Sequence, residues 1–173
     1  MEKSNNPVPE QAMATVSGNI VILDSRDQEA ARLQAAMRMA LHNNDRTEHQ
    51  LTGALGEVAV VAWATHHRVF QATRESACNI VIRNRGVLKN TIRVGVRTTQ
   101  EVRGAWSRVL WIPRAEVGRL LRAGARTVFA CSISDMTATT TVTIRGALPL
   151  PAFGKEVDAD VGDLFDVTQF IAH

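Results

Sequence analysis

Asn79-Ile80-Val81-Ile82-Arg83, the turn signal Asn84-Arg85-Gly86, and Thr91-Ile92-Arg93-Val94-Gly95-Val96-Arg97-Thr98 form the stretch that decides the fold. Both runs are rich in β-branched residues, and the second alternates apolar with polar side chains. That pattern predicts two strands joined as a hairpin. On the second strand Ile92, Val94 and Val96 point one way, into the core. Arg93, Gly95, Arg97 and Thr99 point the other way.

Helical signals surround this hairpin. Upstream, Ser25 with Gln28 three residues later resembles a capping box and opens a helix to about Asn44, with Leu33, Met37, Ala40 and Leu41 as its expected apolar stripe. Thr47 with Gln50 opens a second helix to about His66. Leu51, Leu55, Val58 and Ala62 recur along it at helical spacing and should face the core. Downstream, Pro113 to Ala123 reads as a helix with proline at its start, Val117, Leu120 and Leu121 on one side, and Gly124 as its stop. Val16 to Leu23 reads as a short edge strand, and Thr127 to Ser132 and Thr139 to Arg145 as two further strands. The expected fold class is α/β or α+β, a mixed central sheet flanked by helices.

The domain expectation is one folded unit over residues 15–150. A polar arm at 1–14 carries Pro7 and Pro9, and an acidic and apolar tail covers 151–173. A chain of 173 residues has the size of one domain. No apolar run approaches the roughly 20 residues that span a bilayer, and the N-terminus lacks the layout of a secretion signal. Cys78 and Cys131 match no ligand or redox spacing. A cytoplasmic setting with reduced thiols follows as the expectation.

The formal charge is only +3, but the basic residues are nearly all arginines, concentrated between Arg68 and Arg145. The acids gather in the tail at Glu156, Asp158, Asp160, Asp163 and Asp166. A basic middle points to an anionic partner or to an intramolecular charge match. The tail's Val157, Val161, Leu164, Phe165 and Phe170 suit docking on the domain or on a partner, with the acids shielding the arginines.

Three pieces taken together resemble the PD-(D/E)XK (restriction-endonuclease-like) nuclease superfamily, across roughly residues 47–148. These are Gly53-Ala54-Leu55-Gly56-Glu57 on a helix, Cys78-Asn79-Ile80-Val81-Ile82 opening a strand, and Arg93-Val94-Gly95-Val96-Arg97-Thr98-Thr99 on the next strand. In that superfamily a helix carries a glycine-rich stretch ending in Glu, a strand opens with Asp, and its partner carries acid-x-Lys. The resemblance implies a mixed sheet flanked by helices and, in active members, Mg²⁺-dependent cleavage of DNA or RNA. Side chains two apart share a strand face, so acid-x-Lys sets a metal ligand beside a cation. The bound metal activates water and stabilises charge on phosphorus.

The present chain departs from that pattern where the chemistry resides. Asn79 stands at the Asp position and Gly95 at the acid position. Arg97 stands at the Lys position and cannot act as a base. Glu57 alone remains. The implied nuclease centre, Glu57, Asn79, Gly95 and Arg97, is degenerate, with no catalytic residue, no metal and no cofactor. Glu57 is expected to pair with Arg97 or Arg93 in place of a metal.

The leading expectation is a non-cleaving nuclease-like domain that binds nucleic acid through an Arg-rich cleft at the former active site, or scaffolds an assembly. Arg83, Arg85, Arg93 and Arg97, together with Arg114, Arg119 and Arg122 of the third helix, would meet phosphates. The resemblance makes a phage or mobile-element origin a natural guess. A second expectation is a protein–protein module, a virion component or an inhibitor of a host system, or a homo-oligomer, with Trp and Phe anchors. Trp106 and Trp111 flanking Arg108 fit either a base-stacking or a core-edge role. A third is a metal nuclease with migrated ligands, Glu57 with Asp135 or Glu101. His66, His67 and Cys78 offer weak metal geometry, because adjacent helical residues point about 100° apart. The helix-end reading of the histidines is the better one, and Cys131 reads as a small buried hydrophobe.

Overall fold

The computed structural model describes residues 14–42, 47–67, 70–75, 79–84, 91–106, 109–136, 139–150 and 157–160. Its architecture is α+β. Strands β1 (Thr15–Ser17) and β2 (Ile20–Leu23) precede helices α1 (Ser25–His42) and α2 (Thr47–His66). Then follow β3 (Phe70–Glu75), β4 (Asn79–Asn84), β5 (Thr91–Gln100), β6 (Val109–Ile112), α3 (Arg114–Arg122), β7 (Thr127–Met136), β8 (Thr140–Pro149) and β9 (Val157–Asp160). Seven strands form one sheet in the order β1-β2-β8-β7-β5-β4-β3, while β6 and β9 pair separately. Within the large sheet β5 and β7 run parallel, with Val94 opposite Thr127 and Gln100 opposite Ile133. The other neighbours are antiparallel. The chain crosses from β5 to β7 through α3, as a parallel pair requires.

The expected hairpin is present as β4 and β5, with Ile80 opposite Val94 and Ile82 opposite Ile92. Its turn residues Arg85 and Gly86 lie outside the described residues. Val16 to Leu23 is two strands rather than one, because Gly18 takes a φ of +58° and turns the chain between them. Of the two, β1 is at an edge of the sheet, and β2 sits inside, against β8.

The sheet carries a core on each face. On one, Ile80, Val94, Val96, Phe129, Cys131 and Ile133 pack under α2 through Leu55, Val58, Ala59 and Trp63. On the other, Val81, Val128, Ala130 and Leu148 pack under α3 through Val117 and Leu120. Fully burying a side chain such as Leu120 stabilises by about 1.5–3 kcal/mol. α2 is apolar on nearly every side and lies between the sheet and α1, as such a helix must. α3 ends in a Schellman motif: Gly124, with φ +86°, donates to the Leu121 carbonyl, and Ala125 donates to the Leu120 carbonyl.

Two sequence expectations for α1 are overturned. Its cap is one residue earlier, where the Asp27 amide donates to Asp24 Oδ1 at 2.9 Å. Desolvation, followed by repulsion from Asp24, raises the Asp27 carboxyl above its ordinary pKa. The stripe is also displaced. Leu33, Met37 and Leu41 are 63%, 60% and 77% exposed, while Ala31 and Ala35 are buried. The small residues allow α1 to approach α2 closely, and the larger ones are left on the outer surface.

Candidate functional site

Glu57 lies on the buried side of α2 and is 2% exposed. Arg38 Nη2 donates to both of its carboxylate oxygens, at 2.8 and 2.7 Å. Gln34 Nε2 donates to Oε2 at 2.6 Å and Asn79 Nδ2 to Oε1 at 2.8 Å. Arg74 in turn donates to the Gln34 side-chain oxygen. Asn79 opens β4 with a φ of +74°, a conformation that Asn tolerates better than most residues. Its Oδ1 accepts the Val96 amide at 3.2 Å. One amide side chain thus ties α2, β4 and β5 together.

The expected pairing of Glu57 with Arg97 or Arg93 is therefore incorrect: its cation is Arg38. The physical reason is strand alternation. Val94 and Val96 point to the α2 face, so Arg93, Gly95 and Arg97 point to the α3 face. Arg97 Nη1 is 3.4 Å from Glu116 Oε2 on α3, and Arg93 Nε is 3.9 Å from Glu75 Oε2. The structure brings Glu57 and Asn79 into contact and leaves Gly95 and Arg97 on the opposite side of the sheet.

Gly95 has a packing role of its own. A β-carbon there would lie 2.8 Å from Leu120 Cδ1 and 3.2 Å from Val128 Cγ2. The absence of a side chain seats α3 on β5. Sequence reasoning missed Gln34 and Arg38. The signal was the alanine face of α1, Ala31 and Ala35, which Gln34 and Arg38 flank, but the larger apolar residues outweighed it.

The α3 side of the sheet is rich in arginine. α3 lies antiparallel over β5, with Gly124 near Arg93, Leu120 near Gly95 and Glu116 near Arg97. Arg114 and Arg122 are exposed on the helix, and Arg126 follows it. None of these three has an acidic partner among the described residues. Arg119 lies 3.9 Å from Glu116, half-exposed. Arg83 is exposed on β4 and reaches Thr73 Oγ1 at 3.3 Å. Arg85, Arg108 and the Trp111 side chain lie outside the described residues.

Just past the last residue of β5, Gln100, a polar clasp ties the chain to the middle of β7 and β8. Arg145 Nη2 meets Glu101 Oε1 at 2.6 Å, and Ser132 Oγ donates to the same oxygen at 2.7 Å. Arg145 Nε donates to Ser132 Oγ at 2.8 Å. The Arg145 guanidinium lies 5.0 Å from the Trp106 ring centroid, and Trp106 Nε1 donates to Thr99 Oγ1 at 3.0 Å. The Ser132 hydrogen bond, with Arg145 adding to it, lowers the Glu101 carboxyl below its ordinary pKa. Glu101 is thus committed to Arg145 and Ser132, and the Asp135 side chain lies outside the described residues. Among the described residues no three of His, Cys, Asp or Glu gather as metal ligands.

His67 packs edge-on against Trp63, ring centroids 5.1 Å apart, and burial, then His66, lowers its pKa. Cys78 lies outside the described residues. Cys131 is buried, and burial pushes its thiol up to about 12. Among the described residues no helix is long and apolar enough to cross a membrane. No protein family, curated protein or solved structure matches the chain.

Proposed function

We propose that this chain is a nuclease-like domain that does not cleave and that binds nucleic acid through the face built by α3 and the outward residues of β5. The observation that carries this reading is Arg93, Arg97, Arg114, Arg119, Arg122 and Arg126 on one side of the sheet, with Glu75 and Glu116 as the acids paired there. Each phosphate neutralised by such a residue releases counterions, so binding is salt-sensitive. The order of the pieces supports the nuclease-like part: a helix bearing Glu57, a strand opening with Asn79, and a neighbouring strand bearing Arg97. The absence of cleavage is supported by Glu57, whose two oxygens are taken up by Arg38, Gln34 and Asn79. The binding surface is the α3 face, not a cleft shared with Glu57.

A mobility-shift assay with labelled duplex and single-stranded DNA in Mg²⁺ buffer at two salt concentrations tests it. The expected result is uncut, shifted DNA whose affinity falls with salt and falls further in Arg114→Ala/Arg119→Ala/Arg122→Ala. Absence of a shift at low salt sinks the reading, and cleavage in Mg²⁺ or Mn²⁺ sinks the inactive part of it.

A second reading is favoured by α1. Leu33, Met37 and Leu41 form an exposed apolar row a little over two helical turns long, the kind of patch that marks a protein contact. In this reading the domain scaffolds an assembly, and polar substitutions on α1 abolish it without touching DNA affinity.

A further inference from the structure

The end of β5 turns back on itself at Val102-Arg103-Gly104-Ala105. The Val102 and Ala105 amides each donate to the other's carbonyl, both at 3.0 Å. Arg103 and Gly104 take φ values of +55° and +73°. Positive φ at both central residues defines the primed turn of a two-residue hairpin, for which Asn-Gly, Asp-Gly or Gly-Gly is the favoured chemistry. Arginine is a poor choice there, because its β-carbon crowds the backbone in the left-handed region. The turn itself gives no reason for the arginine. Among the described residues Arg103 has no hydrogen-bond or ion-pair partner, and both it and Val102 are exposed, Val102 at 71%.

The tip is held from behind. The Glu101 amide donates to the Ile133 carbonyl at 2.9 Å, which continues the parallel pairing of β5 and β7 past the last strand residue. Glu101 is clasped by Ser132 and Arg145, and Trp106 by Arg145 and Thr99. Trp106 also packs against the core beneath α3. A strained residue persists where its surroundings over-determine it, and such residues gather at functional sites. The tip leaves β5 beyond Arg97, at the end where Glu116 of α3 meets that strand.

We propose that Val102–Ala105 is a reading tip that carries Arg103, with Val102 beside it, into the minor groove of duplex DNA lying along the arginine face. The inference rests on the nucleic-acid reading above and names the ligand and the residue that probes it. A one-arginine tip on a rigid two-residue turn suits a narrow groove. The B-DNA minor groove is about 6 Å wide, and A·T tracts narrow it further and deepen its negative potential for arginine. The minor groove of A-form RNA is wide and shallow and gives such a tip no walls. An apolar side chain beside a groove-entering cation is placed to press against a base step.

The decisive variant is Arg103→Gly, which leaves the turn with its favoured chemistry. Folding is checked by circular dichroism and thermal melting, and the variant should melt no lower than the wild type. Affinities of the full chain for A·T-rich and G·C-rich duplexes of equal length are then compared. The wild type should prefer the A·T-rich duplex by about fivefold or more, the low end for one discriminated position, and a minor-groove-binding dye should compete. Arg103→Gly should lose that preference and keep its salt-sensitive affinity for the G·C-rich duplex, and Arg103→Lys should recover only part of it. Equal preference in wild type and Arg103→Gly, or no preference in the wild type, overturns the reading tip and leaves the arginine face standing. No salt-sensitive binding to either duplex overturns both.

Discussion

Gly56 of α2 and Thr98 of β5 meet so closely that a β-carbon on Gly56 would lie 1.8 Å from Thr98 Oγ1 and 2.9 Å from Thr98 Cβ. Gly95 performs the same service on the other face of β5, where Leu120 of α3 occupies the space of the missing side chain. One strand is thus gripped by two helices, with a glycine at each contact. Both glycines belong to the stretches that resemble the nuclease pattern, and close packing accounts for each of them. The Thr98 hydroxyl is buried with no hydrogen-bond partner among the described residues.

Gly56→Ala should therefore destabilise the fold by about 3 kcal/mol, the upper end for an overpacked core. Thr98→Ala removes an unpartnered buried hydroxyl and should cost about 1 kcal/mol or less. Because Thr98 Cβ remains close, the double variant should regain only part of the loss. Urea denaturation of the four proteins measures the coupling, and strict additivity would show that the two residues do not share a contact.

Asn79→Asp puts a second carboxylate beside Glu57, at the position where the nuclease pattern has its acid. With Arg38 already engaged, the two negative charges share one cation in a buried site. The variant should be less stable by about 1–3 kcal/mol at neutral pH. The deficit should shrink in acid, as the introduced carboxyl takes up a proton. A Mg²⁺ titration that restored full stability would show that Arg38 yields to a metal, contrary to the packing seen here.

The Glu101 clasp sets a sign for acid unfolding. Ser132 and Arg145 lower the Glu101 pKa in the folded chain, so between the lowered and ordinary values the unfolded chain holds the extra proton. Its contribution is complete above the ordinary value of 4.5 and is lost as pH falls through the folded one. Glu101→Gln should be less stable than the wild type at pH 7, and the gap should narrow below pH 4.5. A gap independent of pH would remove the clasp from the account.

Leu33→Ser/Met37→Ser/Leu41→Ser changes residues that are at least 60% exposed. Stability should shift by about 1 kcal/mol or less, as surface sites usually do. A core stripe would lose about 2–5 kcal/mol for each large truncation. Sedimentation of the same variant shows whether the α1 face holds copies or partners together.

The legibility of the sequence was uneven for physical reasons. The β4–β5 pair, α3 and β7–β8 were readable because alternation, Pro113, Gly124 and the β-branched runs mark them locally. β3 was not, since in Phe70-Gln-Ala-Thr-Arg-Glu the alternation is a single step, Phe70 to Ala72, before three polar residues in a row. The face α1 presents was misread because side-chain size outweighed the closeness that Ala31 and Ala35 permit. At the site, Glu57 and Asn79 were singled out and do meet, but their cation comes from a different helix. Alternation set Val94 and Val96 opposite Arg97, but nothing in the sequence marked that the helix bearing Glu57 packs on the valine face, and that placement separates Arg97 from Glu57.

The pairing of β2 with β8 joins Ile20 to Thr143 and Leu23 to Thr140. β2 is made well before β8, and it must wait while the chain from Leu23 to Thr140 is synthesised. At roughly 5–20 residues per second the delay is on the order of ten seconds. In that interval β2 can pair with β1 alone, and its other edge is open to any strand nearby. The nascent chain therefore carries an unsatisfied strand edge until β8 leaves the ribosome, which makes that edge a natural point for a chaperone to engage.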